Sequence, residues 1–262
     1  MEGGNPVANH NHDGCVNPDS KKKKEFKIDW NKTLKVPEKW DKKRKHDEIK
    51  LSQGQLKAKK GQDSRDFHLA MGTFTYKKGQ FGYSKFYIEI TVGFTQSKDS
   101  ARGNNKNFLF GLVPSKNKNF SMYIGEEEGS IGYQPQNCYI IKEEGNQAEY
   151  GKVLKDGDRL GLFLDFDDGS VRYFINDKDQ GVALKAERIS AGEFCVAISY
   201  YTDNPHAAFS PLDLPMVSKV ISAFNIPTDY SIPFAKIFNR MYMYSHAMTN
   251  KDRETYVQKV VL

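Results

Sequence analysis

Between about residues 40 and 212, apolar side chains recur at every second position in short runs, with clusters of Gly, Asn, Asp, Ser and Lys between them. A period of two belongs to a strand with one face turned to a core. In "FYIEITV" it puts Phe86, Ile88, Ile90 and Val92 on one face and Tyr87, Glu89 and Thr91 on the other. "FLFGLV", Phe108 to Val113, and "FCVAIS", Phe194 to Ser199, are more evenly apolar, as strands covered on both faces are. Leu160, Leu162, Leu164 and Phe166 alternate toward Asp167-Asp168-Gly169-Ser170, and Val171, Tyr173 and Ile175 lead back. That pattern predicts an antiparallel hairpin in which Gly169 takes the positive φ of the turn. A second turn, Asn176 to Gly181, leads into the short strand "VAL". Phe163 and Phe174 fall on the hairpin's other face, so a further part of the chain should cover it. Short strands in this rhythm predict an all-β sandwich.

The flanks read differently. Residues 1–24 are polar and end in "KKKK", a composition that predicts a disordered basic tail. Residues 25–39 predict an extended strap, with Phe26, Trp30 and the adjoining Trp40 as anchors spaced by lysines. "SKDSARGNNKN", Ser97 to Asn107, is a loop long enough to be functional. Beyond Pro211 the spacing turns helical: Leu214, Val217, Ile221 and Phe224 form one stripe, and Phe234, Ile237, Phe238 and Met241 another. Ser231 and Pro233 suit the start of the second helix, and a third candidate begins near Lys251. This appendage, 213–262, is a candidate either to cover Phe163 and Phe174 or to dock onto another protein as an adaptor.

Composition adds three constraints. Hydrophobic residues make up 38% of the chain and aromatic residues 13%, enough for a real core. No apolar run is long enough for a membrane helix, and the start has no signal-peptide core, so an intracellular, cytoplasmic protein is expected. Three widely spaced cysteines, Cys15, Cys138 and Cys195, fit free thiols in a reducing compartment. The net charge of +6 is concentrated: Lys21 to Lys60 holds sixteen Lys/Arg against six Asp/Glu, so the rest of the chain is net acidic. The "KKKK" and "KKRK" clusters would serve nuclear import or a polyanion, although a solvated tail and strap is the favoured reading.

The stretch "YGKVLKDGDRLGLFLDFDDGSVRYFINDKDQGVAL" resembles the core signature of the SPRY domain family. Weaker similarity runs through "WDKKRKHDEIKLSQGQLKA", "GYSKFYIEI", "FLFGLV", "GSIGY" and "FCVAISYY", covering residues 40–212. Phe108 stands where the family usually has tryptophan. The resemblance implies a bent antiparallel β-sandwich of jelly-roll type, non-catalytic, that binds a peptide or protein through loops on one edge. Carried over by position, the implied binding residues are Gln62, Asp63 and Ser64; Met122, Tyr123, Ile124, Gly125 and Glu126; and Tyr200 and Tyr201. The family's usual Arg and Trp anchors are not found at these positions.

Candidate chemistry is sparse. Asp158, Asp165, Asp167, Asp168, Asp177 and Asp179 crowd the hairpin, but "DFDDGS" places its glycine one position too early for a helix-loop-helix calcium site. They read as turn and strand-end hydrogen-bonders rather than a metal or acid/base pair. "HNHDGC", His10 to Cys15, lacks a second ligand pair for zinc. No phosphate loop and no nucleophile, base or metal motif is found, so no enzyme activity, metal or cofactor is expected. Three alternatives to protein or peptide binding stay open: a glycan-binding jelly roll, nucleic-acid binding through the basic N-terminal segment, and a metal-dependent enzyme built on the aspartates.

Overall fold

The computed structural model describes residues 26–36, 38–61, 66–80, 82–94, 107–203 and 205–209. The expected tail, most of the Ser97 to Asn107 loop and the helices of 213–262 lie outside the described residues. The strands begin with β1 (Thr33–Lys35), β2 (Trp40–Lys45), β3 (Ile49–Ser52), β4 (Lys57–Lys60) and β5 (His68–Gly72). There follow β6 (Lys85–Phe94), β7 (Phe108–Pro114), β8 (Ile131–Gln134), β9 (Tyr139–Lys142) and β10 (Asn146–Glu149). The last are β11 (Arg159–Asp165), β12 (Ser170–Ile175), β13 (Lys178–Lys185), β14 (Phe194–Tyr200) and β15 (Pro205–Phe209), with helix α1 (Glu187–Ala191) before β14. Among the described residues no helix is long and apolar enough to cross a membrane.

Two sheets face each other. One runs β13-β12-β11-β6-β15-β4-β3 and the other β10-β9-β8-β7-β14-β5-β2. Neighbours along both paths are antiparallel; β1 pairs in parallel with the start of β6, beside the part that β15 leaves free. The core is filled by the period-two positions: Phe86, Ile88, Ile90 and Val92 of β6 and Leu160, Leu162 and Leu164 of β11 meet Phe108, Phe110, Leu112, Val196 and Ile198 of the other sheet. Burying each such side chain contributes about 1.5–3 kcal/mol. Phe108 is fully buried, filling the place of the family's tryptophan. Cys195 is a free, buried thiol, and Cys138 is buried; Cys15 lies outside the described residues.

The hairpin forms as its pattern predicts, Leu160 opposite Ile175 and Leu164 opposite Val171, with Gly169 at φ 68. The second turn is tighter than expected. Asn176 and Asp177 alone make it, at φ 49 and 67, and Lys178 already pairs with Ile175. Both residue types tolerate the left-handed region, so the strand restarts four residues before "VAL" and two extra residues on β13, opposite Val171 to Phe174, absorb the difference.

Each sheet is also apolar on its outer face. On the first, Tyr87, Phe163 and Phe174 are covered by Phe26 and Ile28. The Phe26 ring lies 5.4 Å from Phe163 and 6.3 Å from Phe174, beneath the Arg172 guanidinium at 4.1 Å. The N-terminal segment is thus what lies on this face among the described residues. Trp30 meets Tyr87 edge-on at 5.3 Å yet stays 49% exposed, while Trp40 is a core residue stacked on Phe209 at 4.3 Å. On the second sheet, Leu109 and Val113 of β7, Cys195 and Ala197 of β14, and Leu69 and Met71 of β5 form the outer apolar face.

Candidate functional site

Residues 115–130, between β7 and β8, lie across that second outer face. Leu69 N donates to Phe120 O at 2.8 Å and Ile124 N to Ser199 Oγ at 3.3 Å, so the segment is tied to β5 and β14. Met122 and Ile124 bury themselves on the sheet. Ile124 seats where Gly132 has no side chain; a Cβ there would lie 2.9 Å from Ile124 Cβ. Apolar burial therefore fixes the backbone and decides which side chains remain outside.

Those left outside gather into an aromatic group. Phe67, just before β5, has its ring 5.4 Å from Tyr123 and 5.0 Å from Tyr201, and all three are half-buried. Three distant segments meet here, and a buried cation joins two of them. Lys60 is fully buried, and its Nζ donates to Asp66 O at 2.5 Å and to Tyr201 O at 3.0 Å. Charge-assisted bonds of this kind are about twice as strong as neutral ones. Tyr201 N also donates to Asn107 O at 3.1 Å.

Behind this group, His46 and His68 stack with ring centroids 3.6 Å apart, and Glu48 Oε2 lies 3.2 Å from His68 Nδ1. Burial pushes the His68 pKa below its ordinary value, the Lys60 and His46 charges push the same way, and Glu48 and Asp66 oppose them. A neutral imidazole at this position avoids adding a charge beside the Lys60 ammonium.

The residues carried over from the family divide sharply. Gln62, Asp63 and Ser64 lie outside the described residues. Tyr123 and Tyr201 are half-buried members of the aromatic group, and Glu126 is exposed beside them. Met122, Ile124 and Gly125 are buried. Tyr200 is fully buried on the inner face, its hydroxyl donating to Ala58 O at 2.8 Å. The period of two that carries Tyr200 inward leaves Tyr201, beyond the strand end, turned out. Phe67 and Lys60 were not singled out in the sequence. The one signal for Phe67 was its place between the Gln62 to Ser64 loop and the apolar run "HLAMG".

The aspartates are occupied in folding. Asp158 accepts from Lys155 N at 2.7 Å and Asn176 Nδ2 at 2.8 Å. Asp165 accepts from Asp167 N at 2.9 Å and from Lys85 Nζ at 2.6 Å, a bond that raises the Lys85 pKa. Asp179 accepts from Gly181 N at 2.9 Å and pairs with Arg172 at 2.8 Å. Asp167, Asp168 and Asp177 face Lys78, Lys185 and Arg159 in turn. These are turn and strand-end roles. Among the described residues, no group of three or more His, Cys, Asp or Glu side chains is placed to hold a metal ion.

The fold is an antiparallel sandwich with a half-buried aromatic group where three of its segments meet. The SPRY domain family model matches residues 85–210, and the chain carries a SPRY domain. Domains of this family are generally non-catalytic protein-interaction modules. The SPRY domain of human HERC1 superposes with a TM-score of 0.50 at 11% identity, covering 65% of this chain and 96% of its own. The TRIM65 PSpry domain gives 0.51 at 11% identity, covering 68% of this chain and 93% of its own. At such identities the likeness concerns the fold alone. No curated protein matches the chain. Upstream of the matched residues, β2 and β5 belong to one sheet and β3 and β4 to the other.

Proposed function

We propose that this SPRY domain binds a peptide or protein segment at the edge formed by Phe67, Tyr123, Glu126 and Tyr201, with Gln62, Asp63 and Ser64 on the adjoining loop. The observation that carries the reading is the meeting of three aromatic rings from three segments, each only half-buried. Tyrosine and phenylalanine bury a large area with few torsions to freeze, so such groups become binding hot spots. The buried Lys60 supports it further, because it fixes the backbone on both sides of the group before any ligand arrives. An adaptor role, in which residues 213–262 recruit a second protein, is the extension of this reading.

The test is affinity capture with the intact chain and with Tyr123→Ala plus Tyr201→Ala. The reading expects capture by the wild type and its loss in the double variant, with circular dichroism and melting behaviour of a folded sandwich. Capture that survives the double change assigns binding to another surface.

A further inference from the structure

We infer that the ligand of the aromatic edge is a basic peptide, one that presents a lysine or arginine side chain to Tyr123 beside Glu126 and Glu144; this rests on the edge being the binding surface. The turn between β9 and β10 is bonded onto the segment that carries Tyr123. Glu144 N donates to Glu126 O at 3.2 Å and Gly145 N to Gly125 O at 2.9 Å. The Tyr123 hydroxyl lies 2.8 Å from the position a Gly145 Cβ would take, and Tyr123 N donates to Glu126 Oε2 at 3.3 Å. Tyr123, which packs on Phe67 at one end of the group, therefore has two exposed glutamates on the backbone bonded around it, Glu126 and Glu144.

The neighbouring acids are already engaged by the fold. Glu143 meets Arg188 at 2.6 Å and Gly129 N at 3.2 Å, and Glu127 accepts from Asn119 Nδ2 at 3.2 Å. Glu126 accepts from Tyr123 N of its own segment, and among the described residues neither it nor Glu144 forms an ion pair, so no cation balances either exposed carboxylate there. Glu144 also sits at φ 58, followed by Gly145 at φ 76, in a turn that Asn146 N closes onto Glu143 O at 3.2 Å. Such a turn favours asparagine, aspartate or glycine at its first central position. A glutamate is disfavoured in this left-handed region relative to those residues.

Among the described residues, positive charge at the edge is directed elsewhere. Lys60 points its ammonium at two carbonyls below the aromatic group. Lys116 and Lys118 are exposed but precede Phe120, whereas it is the Tyr123 to Glu126 half of the segment that meets the turn. A cation over a tyrosine ring gains from the ring's quadrupole, and flanking carboxylates add to that attraction. An acidic peptide would meet two uncompensated like charges at the same place.

The test uses fluorescent nonapeptide pools with alternate positions fixed as arginine or as glutamate and the remainder randomised over apolar residues. Fluorescence polarisation should show the wild type preferring the arginine pool by about tenfold, with affinity falling as salt is raised. Glu126→Gln plus Glu144→Gln should reduce that preference to near unity while the fold is retained. No binding of the arginine pool by the wild type, preference for the glutamate pool, or an undiminished preference in the double variant overturns the inference. The assignment of the edge is read separately. If Tyr123→Ala plus Tyr201→Ala abolishes binding of whichever pool binds, the edge stands even when the charge preference fails; if binding survives that change, the edge itself is wrong.

Discussion

Replacing Phe26 with alanine tests what holds the N-terminal segment on the first sheet. A fully buried phenylalanine costs about 3–5 kcal/mol when cut to alanine, and roughly half of that applies to a half-buried ring. Phe26 also gives up two ring contacts, at 5.4 and 6.3 Å, and the Arg172 guanidinium at 4.1 Å. Aromatic pairs and exposed cation–π contacts are worth about 0.5–1.5 kcal/mol each and do not add fully, so the expected loss is about 2–3 kcal/mol. It should fall locally. Leu34 and Val36 remain buried and β1 keeps its pairing with β6, so β1 has its own anchorage. Hydrogen exchange at residues 26–32 should accelerate by roughly 30- to 150-fold, while β1 and β6 amides keep their protection. Trypsin should cut sooner at Lys27 and Lys32. Unchanged exchange at 26–32 would show that the ring contacts do not dock the segment. Equal loosening of β1 and β6 would show that the segment is part of the cooperative core.

Two further changes probe buried charge. Glu38 is almost fully buried and accepts from Thr73 Oγ1 at 2.7 Å, Lys39 N at 2.9 Å, Tyr76 Oη at 3.0 Å and Phe74 N at 3.3 Å. Burial raises its pKa more than these bonds lower it, so the folded protein holds the proton more tightly than the unfolded chain. Its contribution is therefore full below the ordinary value of about 4.3 and declines as pH rises through the raised folded value. Urea melts should show wild-type stability falling relative to Glu38→Gln as pH rises above that ordinary value, and a difference independent of pH refutes the assignment. Lys60→Met leaves Asp66 O and Tyr201 O without this donor, at about 1–3 kcal/mol each, but removes a buried ammonium whose desolvation costs several kcal/mol. Melting temperature should change little while capture of the partner is lost, and full capture by a stable Lys60→Met protein counts against the positioning role.

What could be read ahead of the structure depended on whether burial left a period in the sequence. β6 and β11 were legible by their alternating inner positions, and β7 and β14 as evenly apolar runs buried on both faces. β10, "NQAE", is exposed at every position and carries no such signal, and the first half of β13, "KDQG", is too polar to show one. Lys60 is a different case. In "KAKK" the fourth residue reads as one more solvated lysine, yet Ala58 and Lys60 occupy the same inward face, and the ammonium is satisfied by carbonyls from Asp66 and Tyr201, far apart in the chain. Of the candidate site, Tyr123, Glu126 and Tyr201 were legible as positions. The inward turn of Met122 and Ile124 was not, because an apolar residue in a loop has no strand period to assign its side.

The two outer faces differ in a way that bears on recognition. On the first sheet, Phe26 and Ile28 lie on Tyr87, Phe163 and Phe174, which are all buried beneath them. The second sheet's outer face is covered by an insertion between two of its own strands, pinned by Met122 and Ile124 and bonded to β5 and β14. That cover ends at Phe67, Tyr123 and Tyr201, where apolar area remains half open over a backbone held by Lys60. Each core residue beside the group also sets the direction of its neighbour: Met122 and Ile124 turn inward and Tyr123 between them turns out, and Tyr200 inside is followed by Tyr201 outside. The exposure of Tyr123 and Tyr201 is therefore a by-product of packing, one position out of step with the buried residues on either side.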